Sequence, residues 1–181
     1  MKMYVIQVRS GYEFSVCQEL ENCGIETVLP IKQEFIRRGG QWNIREKIIF
    51  TQYVFLKLEL TEKSYYRIKK IDGVVKFLGF EHGFPQPLNY TEQAYIEWLW
   101  NNGKPIEPSK IYVTPNGDKL IMSGTLRKYS GNEIEYNLRQ RKANIFIDIA
   151  GRKHKIMLPV VRMILSIILD TILKKLKAEP E

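Results

Sequence analysis

Residues 35–60 read FIRRGGQWNIREKIIFTQYVFLKLEL. Two segments of alternating character, Phe35 to Arg38 and Ile44 to Phe50, flank the pair Gly39-Gly40, which tolerates the left-handed backbone of a tight turn. The stretch therefore predicts a β-hairpin, followed by a further strand from Tyr53 to Leu60. Within that strand Tyr53 and Phe55 share one face and Val54 and Leu56 the other, because side chains alternate along extended chain.

Upstream, Met3 to Arg9 is rich in β-branched and aromatic residues and predicts a buried strand that ends at Ser10-Gly11. Val16, Leu20 and Cys23 then recur at helical spacing, with Glu13, Glu19 and Glu21 on the other side and Gly24 as a C-terminal cap. Thr27 to Leu29 reads as a short strand. Downstream, Thr61 opens a helix from Glu62 to Lys70, Gly73 to Phe80 returns as a strand, and Thr91 is the expected cap of a third helix containing Ala94, Ile96, Trp98 and Leu99. The order β-α-β-β-β-α-β-α predicts an α+β domain over residues 1–101, a split β-α-β sheet with helices on one face.

Residues 102–117 are rich in Asn, Gly and Pro and lack a periodic run, the composition of a linker. Short strands at close intervals follow in 118–163: Lys119 to Met122, Glu133 to Tyr136, Ala143 to Ile149 and Lys153 to Leu158. That spacing predicts a small β-barrel with Leu120, Met122, Leu126, Ile134, Ile145, Ile147 and Leu158 as its core. From Val160 onwards Arg162, Ser166, Asp170 and Lys174 recur every fourth position on an otherwise apolar surface. This predicts an amphipathic C-terminal helix, assigned to 164–181, docked on its own protein or used for self-association or a partner. It is too short and too charged to cross a membrane.

The chain has 181 residues, 44% hydrophobic and 12% aromatic, enough for a buried core. Its net charge of +8 is unevenly spread: residues 1–100 carry +1, 101–117 carry +1, 118–163 carry +6 and 164–181 carry none. The excess points to a polyanion at the barrel. Two cysteines exclude a disulfide framework and suit a reducing compartment, and no leader-like apolar stretch opens the sequence, so a cytoplasmic protein is expected. His82 and His154 lack the neighbouring ligands of a zinc site, Cys17 and Cys23 face different directions on one helix, and neither a phosphate-cradling loop nor a nucleophile elbow is present. A binding protein without catalytic residues, metal or cofactor is expected.

Tyr4 to Gln7, Ser10 to Glu13, Leu29-Pro30, Arg38 to Gln41, Phe50 to Leu56 and Gly73 to Gly79 resemble, in order and spacing, the N-terminal (NGN) domain of the NusG transcription factors. Gly117-Asp118, Ser123-Gly124, Gly131 and Gly151 resemble the KOW barrel of the same family. Three departures stand out: Thr51-Gln52 where Pro-Gly is usual, Gly124-Thr125-Leu126 where the barrel usually reads Gly-Pro-aromatic, and the added C-terminal helix. With the basic barrel they resemble a specialised paralogue such as RfaH or, more closely, the LoaP antiterminators.

The resemblance implies a transcription elongation and antitermination factor, not an enzyme, that rides on RNA polymerase. The polymerase clamp helices would meet Phe50, Tyr53 and Phe55, with Tyr4 and Phe77 from adjoining strands. Ser64, Tyr65 and Tyr66 would touch the opposite side of the cleft, and Arg9 would lie beside non-template DNA. A nascent RNA hairpin is the expected ligand of Arg127, Lys128, Arg139, Gln140, Arg141, Lys142, Arg152, Lys153, His154 and Lys155, at least two of whose clusters are expected to meet on one side. About five phosphate contacts would make affinity fall steeply with salt. The alternative is a general adaptor whose barrel binds a protein, Rho or a ribosomal protein. A monomer is expected, with the C-terminal helix as a route to self-association. The alternating pattern of Ala143 to Ile149 favours strands over a helical refolding of the barrel.

Overall fold

Strand β1 (Lys2–Val8) is apolar on both of its faces, and the structure shows why. In this computed structural model, which describes residues 1–163 apart from 82, 130 and 132, β1 lies inside a sheet that is covered on both sides. Its neighbours are β2 (Glu26–Val28), β5 (Tyr53–Leu58) and β6 (Val74–Phe77), in the order β2-β5-β1-β6. Tyr4, Ile6, Val54, Leu56 and Phe77 pack with Val16 and Leu20 of α1 (Glu13–Asn22) and Ile68 of α2 (Glu62–Lys69). Met3, Val5 and Phe55 form the opposite face, whose cover includes α3 (Tyr90–Trp100) and the C-terminal barrel. Full burial of each such side chain stabilises by about 1.5–3 kcal/mol, so a sheet with two apolar faces strongly favours having both covered.

The expected hairpin is β3 (Ile31–Arg38) and β4 (Gln41–Ile48), paired from Ile31↔Ile48 to Arg38↔Gln41 and turned by Gly39 and Gly40, both at positive φ. Two two-residue strands, β7 (Phe80–Glu81) and β8 (Phe84–Pro85), follow β6. Helix α3 starts one turn-fraction earlier than expected. Its N-cap is Asn89, not Thr91, because Asn89 Oδ1 accepts from the Glu92 amide at 2.9 Å while Glu92 Oε2 accepts from the Asn89 amide at 2.8 Å.

The barrel sheet has the order β10-β9-β13-β12-β11, from β9 (Ser109–Val113), β10 (Lys119–Ser123), β11 (Glu135–Asn137), β12 (Lys142–Ile149) and β13 (Arg152–Met163). Strand β9 falls in the stretch whose composition suggested a linker; it pairs with β10 and, in parallel, with the end of β13, and Ile106 and Ile111 are fully buried. Residues 160–163 belong to β13 and not to the start of a helix, because Val160 to Met163 pair with Ser109 to Tyr112. The expected helix over 164–181 lies outside the described residues. Leu126, Ile145, Ile147 and Leu158 are core as expected and Ile134 is partly buried, whereas Leu120 and Met122 point outward and Ile121 packs against the core. In Leu120-Ile121-Met122 three apolar residues run together, so alternation could not indicate which one faces in. Gly124, at φ +97, is required where the chain crosses β9: a Cβ there would lie 2.6 Å from the Ser109 Cα.

Candidate functional site

Phe50 and Phe55 meet edge to face at 5.3 Å, and Tyr53 stands beside them at the end of β5. The backbone before Tyr53 turns through Gln52 at φ +68, held by the buried carboxylate of Glu13, which accepts the Gln52 amide at 2.9 Å. Glu13 is thus inside the fold, not on the solvent side of α1, because it satisfies this turn.

The aromatic cluster is covered by the barrel. His154 lies edge-on to Phe50 at 5.9 Å and to Tyr53 at 6.1 Å, and only a small cavity of about 80 Å³ remains between these rings, Val5, Leu78 and Ile149. Burial holds the His154 imidazole below its ordinary value, with the Arg152 charge acting in the same direction against the Ile149 backbone and Asp148. Polar contacts fix the rim. Glu92 Oε1 accepts the Ala150 amide at 2.8 Å, and Trp98 Nε1 donates to the Thr125 carbonyl at 3.2 Å while its ring stacks on Tyr129 at 6.0 Å. On the hairpin side, Lys32 Nζ donates to the Met157 carbonyl. Burial lowers Lys32 to about 8, opposed by Glu34 and reinforced by the charges of Lys47 and Lys142.

A second aromatic surface is open. Tyr65 stacks on Phe77 at 5.2 Å and touches Tyr66 and Phe80 edge-on at 5.3 Å and 6.5 Å. Tyr66, Phe80 and Phe84 are 56%, 49% and 71% exposed, beside a groove of about 490 Å³ lined by Tyr4, Leu60, Tyr65, Tyr66, Phe84 and Pro85. Tyr4 and Phe77 therefore belong to the helix-covered face of the sheet, not to the face of Phe50 and Phe55, because Tyr4 is opposite Leu56 in register whereas Phe55 is opposite Val5. Ser64 is occupied in the capping box of α2, exchanging hydrogen bonds with Thr61. Arg9 lies 4.2 Å over the Tyr12 ring and pairs with Asp72.

Residues 1–96 match the family described as "Transcription termination factor nusG". The chain belongs to the NusG family. It is 25% identical over 162 residues to the transcription termination/antitermination protein NusG of Helicobacter pylori, covering 84% of this chain and 91% of that one. The NusG proteins of Campylobacter jejuni and Bacillus subtilis are 27% and 25% identical over 161 residues, covering 83% of this chain and 89% and 90% of theirs. A solved structure of Thermotoga maritima NusG, described as concerning its domain interaction, superposes with a TM-score of 0.55 at 24% identity, over 88% of this chain and 93% of that chain. That likeness shows the shared fold: a NusG-type N-terminal sheet followed by a small β-rich unit. Among the described residues no helix is long and apolar enough to cross a membrane.

In this NusG-family chain the three basic clusters of the barrel occupy separate turns and strand ends. The turn Arg139 to Lys142 and the turn before Arg152 stand at opposite ends of β12, about 23 Å apart for seven residues of strand. Arg127 and Lys128 lie in a single 3-10 turn after β10, where Lys128 shares a groove with Lys104 and Lys110. His154 and Arg152 line the covered cavity with Phe50 and Tyr53, so His154 is a packing residue in this arrangement. Lys153 and Lys155 flank the half-buried Phe146 ring at 5.4 Å each, and Lys155 is also paired with Glu135 at 2.6 Å. What the fold does bring to the Arg139–Lys142 turn is the hairpin, whose Phe35 and Trp42 lie beside Arg141. Sequence reasoning missed Glu92, Trp98, Lys32 and Trp42; of these only the Asn89-x-x-Glu92 capping pattern is a local signal.

Proposed function

We propose that this NusG-family protein is an elongation and antitermination factor of the specialised, LoaP-like kind. It docks on the clamp helices of RNA polymerase through Phe50, Tyr53 and Phe55, and recognises a structured nascent RNA through its basic barrel. The observation that carries the polymerase contact is an aromatic cluster on an N-terminal sheet whose rings lie against a separate unit of the same chain. Aromatic anchors in a shallow pocket supply most of the energy of such interfaces. Because the barrel covers them, docking requires it to leave. Tethering holds the barrel near its site at about millimolar effective concentration, so the polymerase surface must compete with it. Tyr65 and Tyr66 are accessible from the start and suit a first contact with the opposite side of the cleft, while Arg9 would have to exchange Asp72 for a DNA phosphate. The transcribing polymerase would place the protein in the cytoplasm.

RNA recognition rests on the charge of 118–163, where Arg127, Lys128, Arg139, Gln140, Arg152 and Lys153 are exposed. The test reverses Arg139 and Lys142 to Glu in the full chain. A lost RNA shift with polymerase pull-down intact supports the reading, and an unchanged RNA shift accompanied by capture of Rho or a ribosomal protein favours the adaptor instead.

A further inference from the structure

The side chain of Arg141 sits in a corner made by two rings of another structural unit. Its guanidinium carbon is 4.9 Å from the centroid of Phe35 and 4.8 Å from that of Trp42, and the two rings stand at 85° to one another. Phe35 is buried and Trp42 half-buried, on paired strands of the β3–β4 hairpin. Among the described residues the Arg141 side chain makes no hydrogen bond to an oxygen or nitrogen and no ion pair, so its guanidinium is held by the two rings alone. Its backbone is held too: φ is +56, unusual for a residue with a Cβ, the amide donates to the Leu138 carbonyl at 3.2 Å, and the carbonyl accepts the Val160 amide at 3.0 Å. An arginine in left-handed backbone costs about 1 kcal/mol relative to glycine, a cost that its contacts with the two rings offset.

The surroundings are short of negative charge. The hairpin carries Lys32, Arg37, Arg38, Arg45 and Lys47 against Glu34 and Glu46, and Glu34 is already shared by Arg45 at 2.9 Å and Lys47 at 4.0 Å. Arg37 faces Trp42 across the strand pair and Arg38 stands at the exposed tip. Arg139 and Gln140 are exposed in the barrel turn that carries Arg141. Lys32 of the hairpin is lowered chiefly by burial under the barrel, and among its smaller influences Lys47 of the hairpin and Lys142 of the barrel act from the two sides of the seam against Glu34.

We propose that the seam between hairpin and barrel is a two-part RNA site in which Arg141, oriented by Phe35 and Trp42, is the recognition fork and Arg37, Arg38, Arg139 and Lys142 hold the flanking phosphates. The inference rests on the RNA reading given above and adds that half of the site comes from the N-terminal unit. A pre-oriented guanidinium matches a phosphate or a guanine edge bidentately, and the exposed part of Trp42 offers an unpaired loop base a stacking surface. Because the corner exists only while the barrel is docked, the complete site takes RNA before polymerase displaces the barrel, and afterwards the RNA keeps only the barrel half of it.

The test uses the full chain and a labelled RNA hairpin enriched by it from a pool with randomised loops, with a DNA of the same sequence in parallel. Trp42→Ala is expected to weaken RNA binding about tenfold without changing its salt dependence, and Trp42→Tyr to restore most of it. Arg141→Lys, which keeps the charge and leaves the hairpin untouched, is expected to lose about as much as Arg141→Ala, since an ammonium lacks the planar fork. Arg38→Glu should weaken binding and flatten its salt dependence. Full affinity in both Trp42→Ala and Arg141→Lys, alongside loss in Arg139→Glu, would leave the RNA on the barrel alone and overturn the two-part site. Equal affinity for the DNA would overturn RNA as its ligand. Failure of the wild-type chain to enrich any RNA would instead remove the reading on which the site rests.

Discussion

The two aromatic surfaces of the N-terminal sheet have similar composition and opposite fates. Phe50, Tyr53 and Phe55 lie under the barrel, whereas Tyr65, Tyr66 and Phe84 border an open groove. Residue chemistry alone therefore does not distinguish a contact surface available to a partner from one that must first be uncovered. The difference lies in what the chain places on top. Apolar burial supplies most of the attraction of the barrel for the sheet, while Glu92, Trp98 and Lys32 supply the directional contacts that fix its register.

The contrast is sharpest at single residues. Phe55→Ala empties a fully buried site beneath the barrel and is expected to cost about 3–5 kcal/mol of stability. Tyr66→Ala removes an exposed ring and should stay within about 0.5 kcal/mol of wild type while weakening polymerase capture. Paired denaturation and pull-down curves check both halves, and equal stability losses would erase the distinction between the two surfaces.

Loosening the cover should come next in size. Glu92→Ala removes the acceptor of the Ala150 amide, a charge-assisted hydrogen bond whose loss costs about 1–3 kcal/mol, and also one side of the α3 capping box. Increased polymerase capture, together with faster hydrogen exchange around 150, is the expected outcome. Unchanged capture would mean that the barrel does not limit access to Phe50 and Tyr53.

Acid should loosen it less. In the docked arrangement burial depresses His154 below its ordinary value of 6.5, so the released barrel takes up a proton more readily. Docking is then fully favoured above that ordinary value and weakens as the pH falls below it. Lys32 acts at the other end: about 8 when docked against 10.5 when free, it adds to docking as the pH rises between those values. A fluorescence distance reporter between the two units, read from pH 5 to pH 10 and repeated in His154→Phe, should lose its acid limb only in the variant.

The smallest effect is expected at Gln52. This residue holds φ +68 just before Tyr53, and Gln52→Gly relieves a left-handed backbone at a stabilisation of up to about 1 kcal/mol. A measurably lower melting temperature would show that the Gln52 side chain holds the covered aromatic edge in place.

Much of this architecture was legible in the chain. The Gly39-Gly40 hairpin, the first two helices and most barrel strands follow from local rules, because turn chemistry and hydrophobic period act over a few residues. The misreadings share a cause. Residues 109–113 read as linker because a strand of five residues among prolines carries little periodic signal, and Leu120 reads as inward-facing because its neighbours are apolar too. The cap of α3 is ambiguous along the chain because Asn89 and Thr91 both suit that position, and the reciprocal bond with Glu92 distinguishes them.

The site divides in the same way. Residue type and order are enough for the family resemblance, the aromatic character of β5 and the concentration of positive charge in 118–163. The sequence even holds a trace of the cover, because β1 is apolar at both parities, as a strand buried on two sides must be. It takes the folded chain to show that the cover is the protein's own barrel, that Tyr4 and Phe77 face the helices, and that Arg141 meets Phe35 and Trp42 from about a hundred residues away. Such contacts join positions with no local constraint on one another, and they are selected by which apolar faces find each other when the chain closes.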